Sequence, residues 1–564
     1  MLFLRIFLPL LVIPFSADGL SFLFFLIGTN QFERHTFEFM AQEFARRAHK
    51  VTTVKPILVP EEPRLVKPLL HMVHEKVLKD VLPRRLFEPL GRVGQNVPWS
   101  EEAGEESALR APYWAAHNYS CGKLLSSNLM EVIARADIDL AILHMGDPCL
   151  MGIVHALGIP FVLFDLEGVT DETLIASGAP WTLPELNFDG HAVDFVGALS
   201  ARLTRSFSLI SESFAQSGIP WLASLFSARF RSLDGHIDEL FASDYEIQRK
   251  FRKKFPDVGK LRRMARLYLA NTDTFLESPF SAFPNNLLPI GGVHIDSPWN
   301  LSMESSKRGV ILCSFGTQAD TGTMPKEFVH SLLDVFSRLA DYRIFWRISP
   351  KLSLPGLSTA QFEGLSEQIP HLNITSFFPQ NELLGAHSLM ESIHWGVPLL
   401  GIPLYGSNSR NLEKAKQRGI GIVLGKREAT NAKTLLNAIR TVLNCPKIGR
   451  KAQEIGWAVR RRPSSAFDRV HYALETTARQ RRPLGEMRGP QPPMARALFQ
   501  CLHVDVSLAL LLFVMAAAVL IARIGLKLAA FCYQLTLCVM FSLGKALRAI
   551  SMRGGKGGGH KKDE

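Results

Sequence analysis

Two stretches far apart in the chain repeat one grammar, and that repetition restricts the fold more than anything else in the sequence. "LSFLFFLIG" (20–28) is apolar on both faces, as a strand buried inside a parallel sheet must be. It runs into the helix-period segment "HTFEFMAQEFARRAHK" and then the strand-like "VTTVKP". "DIDLAILHMGDPCLMGIVHALGIPFVLFD" (137–165) again reads strand, loop, helix, strand. The second half does the same through "RGVILCSFGTQAD", the helical "MPKEFVHSLLDVFSRLA", the strand "YRIFWRI" and the later "ESIHWGVPLLGIPLYG". Such alternation predicts an α/β chain with two Rossmann-like doubly wound domains, 18–290 and 291–490, facing a cleft. A length of 564 residues, too large for one core, agrees. The joint falls in "NTDTFLESPFSAFPNNLLPIGGVHIDSP", and ligands are expected in the cleft at the carboxyl ends of the strands.

The ends predict a membrane topology. "MLFLRIFLPLLVIPFSADG" reads as a secretory signal peptide over 1–17. "VDVSLALLLFVMAAAVLIA" (504–522) is long enough to span a bilayer, and Arg523 and Lys527 directly after it favour the cytosolic side. The transmembrane helix is therefore placed at 504–523 and a cytosolic tail at 524–564, ending in Lys561 and Lys562, two residues spaced like an endoplasmic-reticulum retrieval signal. A second apolar run, Leu528–Gly544, either lies in the interface or crosses back. The expected location is the endoplasmic reticulum membrane, single-pass type I, with most of the chain lumenal. Asn118, Asn300 and Asn373 head sequons that suit a lumenal chain. Seven cysteines form no metal-ligand spacing and leave room for one or two disulfides. The net charge of +12 gathers late, in "AVRRRP", "RQRRP" and the terminal basic run, without interleaved aromatics. A membrane-adjacent excess is the expectation, with no nucleic acid as partner.

"NTDTFLESP…LLPIGGVHI", "GVILCSFGT", "DYRIFWR", "FFPQNELL" and "ESIHWGVPLLGIPLYG", in this order, resemble the membrane-bound UDP-glycosyltransferases, the UDP-glucuronosyltransferase family of animals, with wording nearest to nematode members. The resemblance runs from about Ser21 to the C-terminus. It implies a GT-B fold, acceptor bound by the first domain and UDP-sugar by the second. It implies inverting transfer of glucuronosyl or glucosyl to a hydroxyl of a lipophilic small molecule, with no metal or other cofactor. Homo- or hetero-oligomers with relatives are a further expectation. On the family's register Ser314, Gly316 and Thr317 approach the diphosphate; Phe377 and Gln380 contact the base and ribose. Glu391 holds ribose hydroxyls, while Ser407, Asn408 and Asn411 face the sugar. Turn chemistry and helix surface are the plain alternative for each.

The chain departs from that pattern in two regions. Transfer needs a general base at the acceptor and donors aimed at the leaving phosphates. The family's base is a histidine, but counting back from His49 puts Glu33 there, with His35 two residues on. The orienting carboxylate position falls on His144, with Asp147 three residues later. Three readings stay open: Glu33 and His144 form a transposed pair, His35 and Asp147 form a shifted one, or both positions have drifted. In the donor half only ten residues separate Gln380 from Glu391. The family's strand and His-Gly-Gly loop before the helix are absent, leaving His387 and Ser388 as the nearest substitutes. The expected consequences are a C-terminal sheet lacking a central strand and a weakened phosphate site. An "Asp-Gln" pair of the family is Ser407-Asn408 here. The alternative to an enzyme is a catalytically dead relative acting as a binding or partner subunit.

Overall fold

The computed structural model describes residues 19–26, 31–58, 72–92, 97–99, 105–177, 234–250, 255–277, 283–295, 308–316, 319–349, 353–376, 388–404, 408–480 and 504–554. The chain divides into two compact units, Met1–Thr182 with Phe207–Gly489, and Leu183–Ser206 with Pro490–Glu564.

The first unit opens with seven parallel strands: β1 (Ser21–Phe25), β2 (Lys50–Pro56), β3 (Val73–Leu78), β4 (Leu140–His144), β5 (Phe161–Asp165), β6 (Tyr268–Ala270) and β7 (Leu287–Pro289). Their order is β3-β2-β1-β4-β5-β6-β7, so the topological switch lies between β1 and β4. Side chains alternate across a strand, and β1 uses both faces. Leu23 and Phe25 enter one core; Phe22 and Phe24 enter the other, where they meet Phe37 and Phe44 of helix α1 (Gln31–Arg46). This is why "SFLFF" has no polar face.

Helices α2 (Glu105–Leu125) and α3 (Pro148–Ala156) are tied together twice. Asp147 caps α3 by accepting from Leu150 N at 3.2 Å, with Pro148 in the first turn where its missing N–H costs nothing. A disulfide joins Cys121 to Cys149 across a sequence separation of 28, and closing a loop of that length stabilises by about 3–4 kcal/mol.

The second half carries β8 (Gly309–Cys313), β9 (Tyr342–Arg347) and β10 (Leu372–Thr375) in one parallel sheet, and β11 (Leu399–Gly401) with β12 (Gly421–Val423) in another. A doubly wound sheet should run β10-β9-β8, one further strand, then β11-β12. Among the described residues nothing fills that place. Every residue of β8 is half-buried, whereas every residue of β1 is buried. The lost central strand expected from the shortened sequence falls on residues 377–387, which lie outside the described residues. Around β11 lie α4 (Ser388–Trp395), α5 (Asn408–Gln417) and α6 (Pro446–Arg460). Helices α4 and α6 touch through glycine: a Cβ on Gly456 would sit 2.6 Å from Gly396 Cα.

Helix α7 (Ala466–Arg479) returns to the first sheet. Phe467, Val470 and Leu474 are buried in the core that holds Phe22 and Phe24. Residues assigned by sequence to the second domain therefore complete the core of the first.

In the other unit, α8 (Val504–Gly554) is one continuous helix, unbroken at Arg523 or Lys527. Its segment Leu511–Arg548 has a mean hydropathy of 2.2 and is long and apolar enough to cross a membrane. Fifty-one residues span about 77 Å at 1.5 Å per residue, well beyond a bilayer's hydrocarbon thickness.

Candidate functional site

The loop after β5 and the segment 271–277 bond across the joint between the halves. Asp165, at the end of β5, organises the next loop: Glu167 N and Thr170 N donate to it, as do the Thr170 and Thr173 hydroxyls at 2.5 Å. That loop presents Glu167 O, which accepts from Asn411 Nδ2 at 2.9 Å and from Arg410 Nη2 at 3.2 Å. Asn411, expected on a sugar, thus bridges the halves.

The joint sequence "NTDTFLE" supplies the bolts. Asp273 receives two hydrogen bonds from Arg462, at 2.7 and 2.8 Å. Glu277 accepts from Lys414 Nζ at 2.6 and 2.7 Å and from Thr272 Oγ1 at 2.6 Å. Asn271 Nδ2 donates to Leu166 O. Trp99 crosses as well, donating to Asp320 O at 2.9 Å and packing its ring edgewise on Phe315 and Phe328. Arg462, Lys414 and Trp99 escaped the sequence reading because nothing local distinguishes them; each acquires its partner only across the fold.

The turn after β8 is closed by its own groups. Ser314 Oγ accepts from Gly316 N at 3.3 Å, Gly316 has φ of +78°, and Arg347 Nη1 donates to Gly316 O at 2.6 Å. Only glycine takes that backbone conformation without strain, and it leaves the turn slim enough for close approach. Thr317 lies outside the described residues, as do Phe377, Gln380, His387, Ser407, Asn300, Lys561, Lys562 and the segment 1–17.

Glu391 sits in the first turn of α4, which Ser388 opens. Its carboxylate faces the protein: Glu391 Oε1 lies 3.2 Å from His294 Nε2, and both residues are buried. Burial pushes the Glu391 carboxyl up from its usual range, partly offset by the hydrogen bond and charge of His294. Its other oxygen, Oε2, is buried without a hydrogen bond among the described residues. Asn408 is half-buried at the start of α5.

One turn beyond Glu391, burial, followed by the charges of Arg460 and His294, depresses His394 to about 4. An imidazole whose folded value lies below its unfolded 6.5 contributes stability that is complete above pH 6.5 and lost as pH falls toward 4. Asp238 works oppositely, since burial raises its carboxyl to about 7 and its penalty is relieved by acid. A His394→Gln variant isolates the first effect. The unfolding free energy of the wild type relative to the variant should fall between pH 7 and pH 4.5, by on the order of 2 kcal/mol after allowance for screening. Parallel profiles would show that His394 is not held neutral.

In the acceptor half, His144 closes β4 and its Nδ1 accepts from Gly146 N at 3.0 Å, which puts the ring proton on Nε2. His35 is buried within α1; Glu33 lies in that helix's first turn, its side chain outside the described residues. Asp147 meets a residue that the sequence did not advertise: its Oδ1 lies 3.2 Å from His117 Nε2, with both residues buried and His117 stacked on Tyr113. Beside the Cys121–Cys149 bridge, this pair acts as a second clasp between α2 and α3. Of the sequons, Asn118 is half-buried within α2, and Asn373 lies on β10 with its Nδ2 buried and unbonded.

The geometry is that of two doubly wound halves, bolted at a joint, with a glycine turn after β8. A family profile, UDP-glucoronosyl and UDP-glucosyl transferase, matches residues 257–540, half of the chain. The chain belongs to this family. It is 26% identical over 250 residues to UDP-glucosyltransferase 2 of Dactylopius coccus, covering 41% of this chain and 45% of that protein. Against relatives such as this one, the chain spans about half of their length. Similarity to ugt-56 of Caenorhabditis elegans, of the UDP-glucuronosyltransferase series, is 22% over 500 residues, covering 84% and 88%. Among solved structures, the glycotransferase of kitacinnamycin superposes with a TM-score of 0.54 at 13% identity, over 82% of this chain and 99% of that one. The fold of this UDP-glycosyltransferase family member is GT-B, and α7, by returning to the first sheet, completes it.

Proposed function

We propose that this UDP-glycosyltransferase family member moves glucuronosyl or glucosyl from a UDP-sugar to a hydroxyl of a lipophilic small molecule. The observation that carries the reading is the Ser314–Gly316 turn, held by Arg347 at the carboxyl end of β8 in a GT-B body. In the reaction the acceptor oxygen loses its proton to a base and forms a bond to the anomeric carbon. The bond from that carbon to UDP breaks on the opposite face, the electron pair leaves with UDP, and the configuration inverts. Backbone N–H groups of the turn would face the departing diphosphate. His144, with Nδ1 fixed by Gly146, would present Nε2–H at the acceptor side, and Glu33 would take the proton. Glu391 would hold the ribose after releasing His294. The location proposed is the endoplasmic reticulum membrane with the body lumenal, supported by the disulfide, which needs an oxidising compartment, and by the apolar α8.

A second reading is a binding or partner subunit that transfers nothing; what suggests it is the spacing of only ten residues between Gln380 and Glu391. Microsomes carrying the full chain, given radiolabelled UDP-glucose or UDP-glucuronate and a simple phenol, separate the two. Slow transfer that is lost in Glu391→Gln is the expected result. Absence of transfer, together with no rise in melting temperature with millimolar UDP, would establish the second reading.

A further inference from the structure

Away from the cleft, three potential metal ligands meet where α7 crosses back onto the first sheet. His49 stands between α1 and β2; His471 and Glu475 lie one turn apart on α7, on one face by the four-residue spacing. One donor atom from each falls within 4.8 Å of the others. His49 Nε2 and His471 Nε2 face each other at 3.0 Å. Two imidazoles so placed can share one proton, or they can turn both lone pairs on a cation. At a zinc–nitrogen distance near 2.1 Å, tetrahedral ligands stand about 3.3 Å apart, so the histidines need to part by only a few tenths of an ångström.

The surroundings prepare the site. His49 is buried edge-on against Phe22, at 5.1 Å between ring centroids, and lies 5.6 Å from Phe44; Phe44 in turn is 5.1 Å from His471. His49 Nδ1 is buried without a hydrogen bond among the described residues, and Nε2 is the nitrogen that meets His471. The nearby charges balance in pairs: Arg47 with Asp468 at 2.5 Å, and Arg479 with Glu475 at 2.8 Å. Glu475 would exchange Arg479 for the cation.

We infer that His49, His471 and Glu475 form a site for zinc or a similar borderline divalent cation, with water as the fourth ligand, that clasps the returning helix to the first sheet. Two nitrogens and one carboxylate oxygen suit such an ion better than magnesium or calcium, which demand oxygen ligands. The site lies at the amino-terminal edge of the sheet, where β2 begins at Lys50, whereas ligands in this fold bind at the carboxyl edge. The ion would act on domain association and not on the transferred sugar.

Cobalt(II) is the probe, because tetrahedral nitrogen ligation gives it a visible absorption band. Full-length protein in detergent, stripped with a chelator and dialysed, should bind a single equivalent of cobalt with such a band, which zinc should bleach. Zinc should also raise the melting temperature of the wild type. His471→Gln should weaken binding more than ~100-fold, since loss of outer-shell partners alone costs 10–100-fold in metal sites. Glu475→Gln, at a half-exposed position that tolerates an isosteric amide, should weaken it ~10-fold and abolish the thermal shift. His330→Gln, on an exposed face elsewhere, should change neither. No band in the wild type, or a band that survives both His471→Gln and Glu475→Gln, would overturn the site and leave a simple hydrogen bond between two neutral imidazoles.

Discussion

Inserting a strand and a His-Gly-Gly turn from a full-length relative between Leu384 and Ser388 is expected to raise sugar transfer by at least ~10²-fold, because losing even one preorganised oxyanion donor costs that much in other enzymes. The physical argument has two parts. A strand there would lie between β8 and β11 and add ladder hydrogen bonds to the second sheet. The glycines would also let the first N–H groups of α4 reach a diphosphate, where the helix's positive end adds to the attraction. UDP affinity should rise together with turnover, and the melting temperature in millimolar UDP is the simplest early readout. A variant that folds, binds UDP and still transfers nothing would put the defect in the acceptor half, at Glu33, His35 and His144.

Replacing Arg462 by alanine should destabilise the body by about 3 kcal/mol, the low end of the range for breaking a buried ion pair because the arginine is partly exposed. Its partner Asp273 has a side chain that is 0% exposed, while that of Arg462 is 20% exposed. Arg462 also donates to Thr274 Oγ1 at 3.0 Å, so removing it strips a buried carboxylate of its cation and opens the joint. A fall in melting temperature of roughly 5 °C or more is expected. The matched comparison is Arg338→Ala on the exposed Asp334–Arg338 pair, which should cost at most about 1 kcal/mol. Replacing Arg462 and Asp273 together by apolar residues of similar size should recover much of the loss, since the penalty belongs to the abandoned charge. Equal small effects for Arg462 and Arg338 would mean that the joint is not bolted there.

The two variants test features of different origin. The short spacing from Gln380 to Glu391 could be read from the chain alone, because it is a count of residues. A polar turn after the apolar β8 was equally legible, since a turn between a strand and a helix is local chemistry. Glu391 was found by its position in "ESIHWG", but its state was not. That it turns inward to His294 follows from the packing of α4 against the "GGVH" segment, more than ninety residues away in sequence. Asp147 shows the same limit. The local sequence marks it as a helix cap, and it is one, yet its second partner comes from the middle of α2.

By itself the sequence determined the class of fold and the apolar helix near the C-terminus. Both rest on short-range information: strand and helix periods and the length of an apolar run. Only the tertiary structure decided which charges meet across the joint, that α7 belongs to the first core, and that His49 faces His471. Those pairings link positions separated by hundreds of residues, and side-chain periodicity says which face is buried but not against what. A polar group finds its partner only after the apolar faces have chosen theirs.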